Sequence, residues 1–561
     1  MLHPSHTLRQ HPRWILFSSL AILFVMLLAA CGGTTTTQQN SSQNSVLTIV
    51  PSPIGDFTRN FSPFAANNDY GTDGLIYETL LFFNREDGSI HPWLASSYQF
   101  SPDGKTLTFT LHSNVQWSDG QPFTSDDVVF TLDLMHQYPD ADGNGLWQDI
   151  ASVANPDAHT VIVTLKHPAS PDLWYLAGQT YIVPKHLWSN VGDPAKYANP
   201  NPVGTGPYLL KSFTPQLIDY TRNPHYWQAE PAVQEVRYPA FDSNTSAELL
   251  LSQGNVDWTG LYTPNIQQTF VSRDPAHNHY WFPAASVQTL YLNTAEYPFN
   301  LLPIRQAISM AIDRDQLYKV GENGYEPPAS PTDLVLPAQQ SYLAPNYANL
   351  TFTVNDAQAN SLIQSQGFHK GSDGIYVDSK GKRLSFQLNV VTGWTDWVSD
   401  CQIIQQELKQ IGIDVQVNAI SFNSYYSAMQ LGKFDMVMSW TDPGPTPYYL
   451  YNAMLNSNNT APIGQAATSN FERWSDKQTD ALLKQYATSV DPNVQKQAIE
   501  GLEQIMVNKL PTIPLVYNAT WYEYSTAHFT GWPDQNHAYA VPSPYSFPDA
   551  EVVILNLKPT A

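Results

Sequence analysis

Residues 384–440 read LSFQLNVVTGWTDWVSDCQIIQQELKQIGIDVQVNAISFNSYYSAMQLGKFDMVMSW, and their periodicities change in a fixed order. Leu384, Phe386, Leu388 and Val390 alternate as a strand does. Ile404, Leu408 and Ile411 then recur at helical spacing, and Val415 and Val417 alternate again. A short helical piece around Tyr425 to Leu431 leads into the apolar run ending at Trp440. Strand, helix, strand, helix, strand predicts a βαβαβ unit with right-handed crossovers and a largely parallel sheet, hence an α/β fold. Ligands of such sheets bind in the crevice beyond the carboxyl ends of the strands. The first strand runs into Gly393 and Trp394, the second into Phe422, and the third into Trp440, Thr441 and Asp442. Trp394, Phe422 and Trp440 are therefore candidate walls of a ligand crevice.

Outward from this unit, the chain has 561 residues, enough for two or three domains. Its formal charge is -22, so its field repels phosphate backbones, and no nucleic acid is expected as a partner. A hydrophobic content of 42% excludes disorder, and 12% aromatic residues supply flat side chains for a binding site as well as for a core. Only two cysteines are present, Cys31 and Cys401. Cys401 precedes an amphipathic run and reads as a buried structural thiol.

Residues 14–30 form one apolar run behind Arg9 and Arg13, the pattern of a signal peptide. Leu28, Ala29, Ala30 and Cys31 resemble a bacterial lipobox, which implies cleavage of residues 1–30 and lipidation of Cys31. Residues 31–45 carry no charge and no large apolar side chain and read as a tether. The body is expected to lie outside the cytoplasmic membrane, lipid-anchored, as a monomer.

Several separated segments together resemble the family 5 extracellular solute-binding proteins of ABC importers. They are WSDGQPFTSDDVVFTL (117–132), PVGTGPY (202–208), RNPHYW (222–227), SQGNVDW (252–258) and IRQAISMAIDRDQL (304–317). Most of these residues have a structural reason, such as the Thr124 and Asp127 pair, which suits a helix start. The resemblance implies two lobes closing like a hinge, a periplasmic-binding-protein-like fold of type II with an extra subdomain on the N-terminal lobe. It places lobe I at 46–78, 203–288 and 511–561, the extra subdomain at 79–202, and lobe II at 289–510, with the chain crossing near Gln288 and near Pro511. The implied partner is an ABC permease, with a peptide as solute or, as the rival, an oligosaccharide of the cello or manno type.

In peptide binders of this family an aspartate shortly after the third-strand tryptophan holds the peptide amine. Asp442 is the carboxylate in reach of that role; it also suits a turn before Pro443 and Gly444. Tyr448, with Tyr449 and Tyr451, follows the strand end and could wall a peptide pocket or stack on a sugar ring. Asp69 and Tyr70 complete the candidate ligand-binding set.

Motifs of catalysis are lacking: there is no HExxH, no phosphate-binding glycine loop ending in Lys and Ser or Thr, and no GxSxG. No pair of carboxylates is singled out for glycoside hydrolysis, so a surface hydrolase is the lesser reading. No cofactor is expected. His277 and His279 lack a third ligand nearby. Asp140, Asp142 and Asn144 open a loop of calcium-binding type, but Ala151 stands where a bidentate Glu would close it, and a plain turn is the competing reading.

Overall fold

The computed structural model describes residues 45–52, 55–65, 67–241, 244–441 and 444–560. The expected signal peptide, most of the tether, Cys31 and Asp442 lie outside the described residues.

The 384–440 unit folds as its periodicities predict. Strands Ser385–Val391, Asp414–Ile420 and Met436–Trp440 alternate with helices Thr395–Gln410 and Phe422–Gln430. The first strand pairs in parallel with both others, so the spatial order is second, first, third. The third strand reads as a continuous apolar run because both faces of the sheet are covered. Met436 and Met438 pack with Ile404 and Leu408 on one face, and Val437 packs with Tyr425 and Met429 on the other.

The sheet is mixed rather than largely parallel. Two further strands, Ala284–Leu292 and Ile513–Ala519, add to it antiparallel. They are the segments by which the chain enters and leaves this lobe, so they must run in opposite directions. Both belong whole to the lobe II sheet. The chain reaches the seven-stranded sheet before Ala284 and again after Ala519. The expected division at 288/289 falls inside strand Ala284–Leu292, and that at 510/511 falls just before strand Ile513–Ala519.

The crossing segments run side by side. Thr520 N donates to Pro283 O at 2.7 Å and Trp281 N to Tyr522 O at 3.1 Å. Beyond them Asn278–Tyr280 and Glu523–Ser525 pair in the lobe I sheet, a seven-stranded layer built around Val46–Val50. One antiparallel ribbon thus links the two sheets.

Within 79–202, a four-stranded antiparallel sheet (Ala95–Phe100, Thr106–Leu111, Ile150–Asp157 and Thr160–Leu165) packs on helix Ser125–Gln137 around its own core of Leu107, Phe109, Val128 and Val163. Thr124 N donates to Asp127 Oδ2 at 3.0 Å, half of the expected capping box. Gly204 and Gly206 serve close approach. A Cβ there would stand 1.8 Å from Ile76 O and 2.4 Å from Leu75 O, so only glycine lets the two backbones meet.

Candidate functional site

The strand order second, first, third makes the gap between Ser385–Val391 and Met436–Trp440 a topological switch point. The helices after these strands pack on opposite faces, and it is at the carboxyl ends of such a switch point that ligands of open α/β sheets bind. Trp394 and Trp440 stand there, their ring centroids 5.9 Å apart and inclined at 68°. Trp397 meets Trp394 edge-on at 5.0 Å and lies 6.2 Å from Trp440. Phe422, 46% exposed, lies 6.1 Å from Trp394 and stacks on Tyr426. These rings have fixed supports. Tyr425 donates its hydroxyl to Met438 O at 2.6 Å, Tyr291 to Trp440 O at 3.0 Å, and Thr441 N bonds Val287 O at 3.0 Å. The three aromatics expected at the strand ends are thus brought into one wall.

Three other expected residues are placed elsewhere. Tyr448, in helix Pro447–Leu455, is buried and stacked on Tyr486 at 4.7 Å. Asp69 is buried in lobe I, where its Oδ2 accepts from Asn60 N at 3.0 Å; burial pushes its carboxyl up to about 6. Tyr70 stacks on Tyr238 and shares a 2.6 Å hydrogen bond with Ser52. Asp69 and Tyr70 organise the loop beyond strand Val46–Val50, and neither touches the tryptophan wall. In the loop at Asp140, both oxygens of Asp142 accept backbone N–H groups, from Leu146 and Trp147 at 2.9 Å each, which is turn geometry. Among the described residues no three His, Cys, Asp or Glu side chains are arranged to hold a metal ion.

The structure adds groups that the sequence reading missed. Gln288, fully buried, pairs directly opposite Trp440 on the neighbouring strand and donates to Glu322 Oε1 at 3.2 Å. Asp396 and Asp400 lie one turn apart on helix Thr395–Gln410, which starts just after Trp394. Burial, and then the charge of Asp396, pushes the Glu322 carboxyl up to about 7. Facing them, Tyr262 of lobe I packs on Trp521 at 5.2 Å and accepts a hydrogen bond from Asn323 of lobe II. Burial pushes its hydroxyl up to about 12, with Asp396 and Glu322 adding to the rise. The Asp-x-x-x-Asp spacing behind Trp394 was a usable signal in the sequence. Tyr262 and Gln288 carried none, since they reach the site through long-range pairing.

Lobe II also meets the extra subdomain. Tyr449 donates its hydroxyl to Pro171 O at 2.8 Å, Ser170 N donates to Ala487 O at 2.9 Å, and the Trp174 ring lies 4.6 Å from that of Tyr449. A cavity of about 210 Å³ remains between them, lined by Phe83, Tyr98, Trp174 and Tyr486 among others.

The chain matches the family model described as bacterial extracellular solute-binding proteins, family 5 Middle, over residues 89–462. It is 26% identical over 406 residues to the nickel-binding periplasmic protein of Escherichia coli K12, covering 70% of this chain and 74% of that one. It is 27% identical over 423 residues to a putative ABC transporter peptide-binding protein of Brucella ovis, covering 73% and 76%. Among solved structures, the periplasmic oligopeptide-binding protein of Thermotoga maritima superposes with a TM-score of 0.86 at 24% identity, covering 92% of this chain and 100% of that one. The mannohexaose-bound form of that protein gives 0.80 at 24% identity, with 92% and 99% covered.

Proposed function

We propose, from the premise that the chain belongs to the family 5 bacterial extracellular solute-binding proteins of ABC importers, that it captures a peptide between its two lobes and hands it to a membrane permease. The observation that carries this reading is the wall of Trp394, Trp397 and Trp440 at the switch point, with the carboxylates of Asp396 and Glu322 beside it and Tyr262 across the crevice. Aromatic faces take apolar side chains, and carboxylates take the amine of a peptide. Asp442, which the family resemblance makes an amine clamp, follows the same strand end and belongs to this proposal.

An oligosaccharide is the second reading, favoured by the inclined tryptophans, which suit the flat faces of sugar rings. The two are separated by incubating the purified protein with a peptide library and with cello- and manno-oligosaccharides. Peptide capture predicts a raised melting temperature with peptides alone. A rise with oligosaccharides alone would give the site to sugars, and product formation in either mixture would make the protein a hydrolase.

The lipobox reading places the protein at the outer face of the cytoplasmic membrane, held through Cys31. Among the described residues no helix is long and apolar enough to cross a membrane. Cys31→Ser is expected to shift the protein from the membrane fraction to the soluble fraction with its melting temperature unchanged, since the uncharged tether separates the lipid from the folded body. Retention of the variant on membranes after signal cleavage would refute lipid anchoring.

A further inference from the structure

The cavity of about 210 Å³ between lobe II and the extra subdomain has no charged side chain in its lining, although the chain carries a formal charge of -22. Its walls are rings and aliphatic groups: Phe83, Tyr98 and Trp174 from the subdomain face Tyr449, Tyr486 and Val490 from lobe II. The hydroxyls of Ser170, Thr446, Tyr449 and Tyr486 are already engaged. Tyr449 donates to Pro171 O, Tyr486 donates to Thr446 Oγ1 at 2.9 Å, and Ser170 Oγ accepts from Gln495 Nε2 at 3.1 Å and donates to Ala487 O at 3.3 Å. A sugar or a charged group entering here would give up water for few partners, whereas an apolar group gains by leaving water.

Size narrows the occupant further. A dry apolar cavity of about 150 Å³ holds one benzene, so this one takes a single ring with its methylene group and not a run of sugar units. Its position ties it to the strand ends. Pro445 and Thr446 line it and belong to the loop that leaves Trp440, while Trp174 packs on the same core cluster as Trp394 and Trp440. The chain enters and leaves lobe II through the ribbon, so the two walls of the cavity are held together by non-covalent contacts alone. A gap in such a contact forfeits packing, and a group of the solute that fills it fastens both walls at once.

We propose that this cavity binds one uncharged aromatic ring, presented by a side chain of the captured solute. The inference rests on peptide capture between the lobes and adds that the preferred peptides carry an aromatic residue. It also gives the extra subdomain a part in selection, since Phe83, Tyr98 and Trp174 supply half of the ring's surroundings. Tyr98 and Val490, 36% and 46% exposed, mark the mouth of the cavity.

The test uses tetra-alanine, the four tetrapeptides in which one alanine is replaced by phenylalanine, and benzyl alcohol as the free ring. Each is titrated into the full chain, into Val490→Phe, which fills the mouth, and into Trp174→Ala, which removes a wall. At least one phenylalanine peptide is expected to bind the parent about tenfold or more tightly than tetra-alanine, from burial of its ring, and this preference is expected to vanish in both variants. Circular dichroism checks that the variants fold; Val490, at the exposed mouth, keeps the test valid if Trp174→Ala does not. If the peptides bind without the preference, or the preference survives in the folded variants, the cavity is refuted and peptide capture stands. If no peptide binds, peptide capture falls and benzyl alcohol decides the cavity: binding to the parent that is lost in the folded variants supports the ring site, and no binding, or equal binding, overturns it.

Discussion

Trp440→Ala and Trp394→Ala are each expected to weaken solute binding by roughly 1 to 4 kcal/mol, the largest single-residue effects in the molecule. Trp440 ends the central strand of the lobe and is held from the neighbouring strand Ala284–Leu292 twice, by pairing with Gln288 and by the Tyr291 hydroxyl on its carbonyl. Its ring is therefore presented in a fixed place, and little entropy is spent in ordering it when a solute arrives. Trp394 supports it at 5.9 Å and is itself braced by Trp397. Phe422→Ala is expected to cost less, because a ring 46% exposed with the crevice already formed has less contact to lose. Tyr448→Phe is the control: its ring stacks on Tyr486 in the core, so binding should not change. Calorimetry with the solute that co-purifies decides this, with the melting temperatures of the empty variants showing whether they remain folded. Unchanged affinity in both tryptophan variants would remove the wall from the site.

The second large effect is on stability. Burial pushes Asp73 up to about 7, and Asp172, Asp333 and Glu523 up to about 8. Each of these folded-state values lies above the ordinary carboxyl value near 4 that the unfolded chain has. Between the two values the folded protein holds protons that the unfolded chain has released. Stability therefore falls as pH rises through this window. The contribution is fully present below about pH 4 and is lost as the pH passes 7 to 8. Carboxylates whose values are lowered, such as Asp103, Asp157 and Asp193, lie on the surface and are screened by solvent. The formal charge of -22 adds self-repulsion in the same direction. The melting temperature is expected to drop by roughly 5 to 10 °C between pH 5 and pH 8, as measured by calorimetry on solute-free protein. A melting temperature that is flat or rises over that interval would mean that these carboxyls are paired in ways the structure does not contain.

The legible part of this fold was local. Alternation and helical spacing between Leu384 and Trp440 placed all three strands and both helices, because each element there is amphipathic or apolar in its own period. The place of Trp394 and Trp440 at the carboxyl ends of their strands followed from the element order, whereas the switch point needs the spatial order second, first, third, which only the strand pairing gives. What the sequence withheld was long-range. Ala284–Leu292 and Ile513–Ala519 are separated by more than two hundred residues yet pair along their length, and their buried apolar runs look like those of any central strand. Tyr448 shows another limit: proximity in sequence to a strand end says nothing about the rotation of the next helix, which here stacks it on Tyr486 in the core. Asp69, Tyr70 and Tyr448 are aromatic or acidic like the site residues, but packing within their own lobes claims them.

Hydrogen–deuterium exchange on the solute-free protein, with and without the co-purified solute added back, tests most directly the claim that the lobes close on a ligand at this switch point. Protection is predicted in residues 392–397 and 440–446 of lobe II and, together with them, around Tyr262 of lobe I, with the ribbon at 281–284 and 519–522 changing as the hinge bends. Protection confined to one lobe, or found only in the extra subdomain while the strand-end loops exchange as before, would contradict it.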